Sequence, residues 1–272
     1  MTPALSAKYA TSPDILKRTE FRRGKSADIL VLKGDADAEF TLCGVYQVAR
    51  NDFYFTPDAN FDPANSFGSK FQDVKLSCRL TALTLSVFKF AQDDYPACTQ
   101  NLLGLEKLIK HDKNDEVMST LSQHLDKTQF KMMHSLFDVS PSLSKSHFTP
   151  LSYFHSEDDT LGQEFAMETW PVSARCVDSL KELFDTHDIC PVPAFDSSGK
   201  LIPPSQYEAR LKGVTVEVHF TLAHHFIKKI KRHVYSTQLR KLEVLRGPDP
   251  LPSSPFKRVR ISATFTKSHS RR

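Results

Sequence analysis

The chain has 272 residues, with 36 Lys+Arg against 32 Asp+Glu (formal net charge +4), 40% apolar and 25% charged residues. That composition excludes a collagenous, low-complexity or wholly disordered chain, and the length suits one large domain or two small ones. No run approaches the roughly 20 apolar residues of a membrane helix, and Met1 to Phe21 lacks the apolar stretch of a signal peptide, so the expectation is an intracellular protein, nuclear or cytoplasmic, with no membrane partner.

Residues 1–28 are polar, with Lys17, Arg18, Arg22 and Arg23, and read as a basic arm. Ile29 to Leu32 and Phe40 to Val48 are strand-like. Asn51 to Phe71 holds Phe53, Tyr54, Phe55, Phe61, Phe67 and Phe71 among turn-forming residues, and predicts a long loop whose aromatics plug the core beneath it. From Gln72 to Phe90, Val74, Leu76, Cys78 and Leu80 alternate with Asp73, Lys75, Ser77, Arg79 and Thr81. The phase then flips to Leu83, Leu85 and Val87, which predicts a bulge, a bend or two successive strands.

Between residues 93 and 139 the spacing turns helical. Leu102, Leu105 and Ile109, then Met118, Leu121, Leu125, Phe130, Met133 and Phe137, predict two helices inserted in the fold. Ser140 to Asp159 reads as a loop, Val172 to Thr186 as a short helix, and Cys190 to Gln206, with four prolines, as a surface connection. After Gly213, Val214, Val216, Val218, Phe220 and Leu222 alternate with Thr215, Glu217, His219 and Thr221, the clearest strand of the chain. A basic connector, Ala223 to His233, leads to a second strand with a phase slip, Val234 to Leu245. Residues 247–272 read as a flexible, proline-rich basic tail, in which Val259, Ile261, Ala263 and Phe265 alternate as an edge strand would.

Five cysteines (Cys43, Cys78, Cys98, Cys176, Cys190), odd in number and without a CxxC pair, argue against a zinc ribbon and for reduced core thiols. The small net charge hides a split: Ser205 to Arg272 carries +11 and Met1 to Pro204 carries −7. The basic quarter holds Lys228, Lys229, Lys231 and Arg232, then Arg240 and Lys241, then Lys257, Arg258 and Arg260. Phosphate backbones bind such clusters by counterion release, without reading sequence. The same face would equally suit an acidic protein partner.

A glycine, an alternating strand, a basic connector and a second strand over residues 213–245 resemble the central strands of OB-fold single-strand-binding proteins. The resemblance implies an α+β fold built on a small bent antiparallel barrel, or a twisted sheet, spanning residues 29–246 with the helical insertion at 93–139. It implies non-catalytic binding of single-stranded DNA or RNA, with Lys228, Lys229, Lys231 and Arg232 on phosphates and Tyr235 stacking on a base. No cofactor or metal is implied. One enzymatic alternative comes from the residues themselves. Pro57-Asp58 with Asp73-Val74-Lys75 fits the loose PD-(D/E)xK pattern, in which Asp58 and Asp73 would hold Mg²⁺ and Lys75 would activate water. His155 to Asp159 reads as a solvated acidic loop, and His219, His224 and His225 lack the spacing of a zinc site. GxSxG, GxGxxG and GxxxxGK[ST] are all missing from the sequence, which removes serine-hydrolase and nucleotide-loop chemistry.

Overall fold

A computed structural model describes residues 8–24, 26–65, 69–84, 88–140 and 161–248. In chain order its strands are β1 (Thr19–Arg23), β2 (Asp28–Leu32), β3 (Asp35–Glu39), β4 (Leu42–Val48), β5 (Lys75–Thr81), β6 (Glu116–Met118), β7 (Leu121–His124), β8 (Lys127–Ser135), β9 (Phe137–Val139), β10 (His187–Ile189), β11 (Ala194–Phe195), β12 (Thr215–Ile227) and β13 (Arg232–Arg246).

Alternation dictates which side of each strand is buried. Leu76, Cys78 and Leu80 of β5, Phe130 and Met132 of β8, and Val216, Val218, Phe220 and Leu222 of β12 are fully buried. Each such side chain contributes about 1.5–3 kcal/mol on leaving water. Tyr46, Phe130 and Phe220 meet at ring separations of 5.0–6.4 Å in the middle of this core. The strands around it are linked in a circuit. β4 pairs antiparallel with β5 and β12, β5 with β8, and β12 with β13, while β8 runs parallel to β13. Two seams are thin: β4–β5 is joined only at Gln47–Thr81 and Val48–Leu80, and β8–β13 only at Thr237–Met132 and Gln238–Met133. The result is a sheet-dominated α+β fold that coils back on itself, not a uniformly closed barrel.

β12 and β13 form the longest hairpin. Gly213 starts it with φ +83°, a left-handed conformation that favours glycine; a Cβ there would displace only the flexible Arg50 guanidinium, 2.9 Å away. The phase slip expected in the second strand is present as a bulge: His219 pairs with Lys241 and Phe220 with Leu239, leaving Arg240 unmatched. The lower half of β12 pairs with β4; its upper half, at Ala223 and His224, pairs with Ile29 and Asp28 of β2. The hairpin therefore runs beyond the core and carries β2, β1 and β3 on its side.

Several expectations change. Only Lys89–Glu106 of the middle region is a long helix. Met118, Leu121, Phe130, Met133 and Phe137 lie in strands, and Leu125 in the turn between β7 and β8. The i, i+3, i+4 spacing there is accidental. The operative pattern is period two around Lys131, between buried Phe130 and Met132, with Leu125 and Asp126 turning the chain at φ 47° and 60°. The long strand ends at Thr81 instead of bending, and Leu85 and Val87 lie outside the described residues. The arm is tied down from Tyr9, which bridges to Cys43, and Ile15 is fully buried. The tail beyond Pro248, with Lys257, Arg258 and Arg260 and the alternating run Val259 to Phe265, lies outside the described residues, as does His155 to Asp159.

The aromatic loop after β4 does plug the core: Phe53, Phe55 and Phe71 are buried, and the Trp170 indole N–H donates to the Pro57 carbonyl at 2.8 Å. All five cysteines are buried and free. Burial pushes the Cys43 thiol up to about 11 and Cys98 to about 12, so neither is a nucleophile near neutrality.

Candidate nucleic-acid interface

At the top of the β12–β13 hairpin the chain reverses through a single 3-10 turn, Lys228–Ile230, and Lys231 takes left-handed backbone at φ 48°. Lys228, Lys229 and Lys231 are exposed, and no carboxylate within ion-pair distance is found for any of them among the described residues. Between them the turn presents Ile230, 49% exposed, with Phe226 and Ile227 just below. An exposed tip that alternates ammonium groups with apolar side chains can meet phosphates and base faces together.

The other cations expected at this site are already engaged. Arg232 meets Glu116 through Nε at 2.8 Å and Nη2 at 2.7 Å. Arg240, displaced by the bulge, grips Glu39 through Nε at 2.6 Å and Nη2 at 2.7 Å. Lys241 lies 2.5 Å from Glu243 and over the Phe195 ring. Tyr235 is a correction: it is 4% exposed, donates its hydroxyl to the Glu106 carbonyl at 2.7 Å, and packs its ring against Phe21 and His224. It faces inward because it shares the His224 side of the hairpin, so its ring is unavailable for stacking.

A second basic row lies on the outer face of the β5–β8 ladder. Opposite buried Leu76, Cys78 and Leu80, Lys75 is exposed and Arg79 half-buried, with Ser77 buried between them; opposite buried Phe130 and Met132, Lys131 is exposed and Met133 half-buried. Arg79 stands directly opposite Lys131, and Ser77 opposite Met133. Like charges across a ladder destabilise it. Desolvation first, and the Arg79 guanidinium second, hold Lys131 below the usual lysine range. Asp52, 3.5 Å from Arg79, relieves this only in part. The loop returns beside this row, where the Tyr54 N–H bonds the Ser77 carbonyl, and Tyr54 is exposed between buried Phe53 and Phe55. The sequence places Lys75 and Arg79 on a polar strand face; it has no signal for Lys131 across the ladder, because that segment reads as helix.

The nuclease pattern does not assemble. Asp58 is buried, and its carboxylate accepts from the Asn60 and Ser173 N–H groups at 3.0 and 3.2 Å. These hydrogen bonds hold it below the usual carboxylate range although burial opposes them. Asp73 ends a 3-10 turn rather than sharing a strand with Lys75. Among the described residues no three His, Cys, Asp or Glu side chains are grouped to hold a metal ion.

No family model matches the chain, and no curated protein does. Its fold is similar to solved phage proteins. One is gp2.5, a single-stranded DNA binding protein encoded by bacteriophage T7, at 11% identity and TM-score 0.40 over 78% of this chain and 95% of that one. Another is the single-stranded DNA-binding protein from bacteriophage Enc34 in complex with ssDNA, at 9% identity and TM-score 0.41 over 85% and 96%. Likeness at this level carries no functional argument; the chain's own charges and faces have to supply it.

Proposed function

We propose that this protein binds single-stranded nucleic acid without catalysing a reaction on it. The observation that carries the reading is the tip triad: Lys228, Lys229 and Lys231 are exposed and in no ion pair among the described residues, Lys231 acting on Asp115 only at longer range, while neighbouring cations of the hairpin are paired with Glu116, Glu39 and Glu243. Unpaired ammonium groups give up only water and counterions when a phosphate arrives, whereas Arg240 would first have to leave Glu39. In this reading the five-strand circuit acts as a partly open OB-like barrel. The tip and the Lys75–Arg79–Lys131 row then form two ends of one basic track, with Tyr54 and Ile230 as surfaces for bases. Single strands are favoured over duplex because these apolar groups need exposed base faces, and the one long described helix, Lys89–Glu106, carries more acidic than basic residues.

The test is fluorescence anisotropy with a labelled single-stranded oligonucleotide and its duplex, titrated at several salt concentrations without divalent metal. Tighter binding of the single strand, weakening steeply with salt, is expected. No binding at low salt would overturn the proposal and leave the tip as a surface for a protein partner.

A further inference from the structure

Beneath the tip, four titratable side chains form a line across β2, β12, β13 and the connection before β6. Asp28 of β2 lies 2.8 Å from His224 Nδ1, His224 Nε2 lies 2.8 Å from His233 Nδ1, and His233 Nε2 lies 3.1 Å from Asp115 in the connection before β6. The His224 and His233 side chains are 3% and 8% exposed, and their rings stack at 5.1 Å. The line ties both strands of the hairpin to β2 on one side and to the β6 connection on the other.

The hydrogen bonds fix a proton count. Each carboxylate accepts, so His224 Nδ1 and His233 Nε2 must both carry hydrogen. The central nitrogen pair at 2.8 Å needs one hydrogen between its two atoms. Three links therefore require three ring protons, so one imidazole is neutral and the other is an imidazolium. With two ring protons, a link is lost as bare lone pairs face each other. With four, two N–H groups collide and the rings must part.

Other titratable and charged groups pack around the line. His111, 4.3 Å from the His233 ring, is held below the usual imidazole range by desolvation and then by His233 and His224. The Tyr235 hydroxyl gives its hydrogen to the Glu106 carbonyl, so it accepts from His111 Nε2 at 2.7 Å. The hydrogen bond to His233 holds Asp115 below the usual carboxylate range. Arg23 lies 3.2 Å from Asp28 on the β1 side. The remaining charges nearby are Lys231, acting on Asp115 from the turn, and His225, itself lowered first by desolvation. The Glu106 carboxylate is turned away and bonded to Ser119 and Thr120.

We infer that the Asp28–His224–His233–Asp115 line is a proton-counting latch, which holds the hairpin tip against its flanks only while the two imidazoles share one extra proton. The latch is a property of the free protein and does not depend on what the tip binds. It is tested by ¹⁵N imidazole spectra of the full chain, together with amide exchange over Phe226–Lys231, between about pH 5 and 9. One ring protonated on both nitrogens and one on a single nitrogen is expected in the protected state. Exchange at the tip should accelerate at least tenfold, beyond the intrinsic rate, once pH rises far enough to remove the third proton. In H233Q, whose amide does not titrate, that step should vanish while exchange in β5 and β8 is unchanged. Two neutral rings in the protected state, or tip exchange indifferent to the ring protons, would overturn the latch. Both readouts on the wild-type protein stand even where H233Q fails to fold.

Discussion

The stem and the tip of the β12–β13 hairpin carry the same kinds of residue and put them to opposite uses. In the stem, Phe220 and Leu222 are fully buried and Arg240 is locked on Glu39. A few residues on, Phe226 and Ile230 are exposed and three lysines are in no ion pair among the described residues. Where the circuit surrounds the hairpin, apolar atoms find a core and cations find acids. At the turn itself, beyond the strands that flank the hairpin, the apolar side chains are exposed and the lysines form no ion pair among the described residues. Positive charge in a sequence is thus a poor guide to a binding surface until its partners are known.

The comparison breaks most visibly by emptying the stem. Phe220→Ala should cost about 3–5 kcal/mol by leaving a cavity, whereas Ile230→Ser at the tip should stay within about 0.5 kcal/mol; denaturant midpoints for the two variants measure the contrast. Equal costs would mean the tip is packed as the stem is.

Acid should act on the stem side next. Burial pulls His134 of β8 down to about 4 from an ordinary 6.5, and its Nε2 bonds the Cys190 carbonyl at 2.9 Å. Between those values the unfolded chain binds the proton and the folded one does not. Stability therefore falls as pH drops from about 6.5 towards about 4, by roughly 3 kcal/mol for this group. Urea titrations at pH 7 and 4 should show that loss, and His134→Gln should remove most of the difference.

Severing a paired cation sharpens the point further. Arg240→Met leaves Glu39 half-buried and alone, at a cost of about 1–3 kcal/mol, yet oligonucleotide affinity should change less than about twofold at temperatures where the variant is folded. The smallest effect is expected on the outer ladder. Lys131→Gln removes the charge facing Arg79, so it should raise stability by up to about 0.5 kcal/mol while weakening single-strand binding a few-fold. Loss of stability there would show that the like-charge pair is not a strain on the ladder.

Much of this was readable in advance. Val214 to Leu222 announces its strand and buried face, Gly213 its start, and the phase slip its bulge. The aromatic loop was legible because Phe is too large to leave in water. The region from Met118 to Phe137 was not, because short apolar spacings fit helix and strand equally and only pairing with β5 and β13 decides between them. The site split the same way. The tip lysines are clustered in sequence and stand out, but their lack of an ion pair among the described residues is a tertiary fact, as are the Arg240–Glu39 clasp, the burial of Tyr235 and the meeting of Arg79 with Lys131.

The most direct test of unpaired against paired cations is the salt dependence of single-strand affinity for two charge-matched variants. One carries Lys228→Gln, Lys229→Gln and Lys231→Gln; the other carries Arg232→Gln, Arg240→Gln and Lys241→Gln. At about 0.7 per phosphate contact on a single strand, the log–log salt slope should shrink by about 2 in the tip variant and stay unchanged in the stem variant. Equal losses in both would contradict the account, because binding would then follow total charge and not the lysines the fold leaves free.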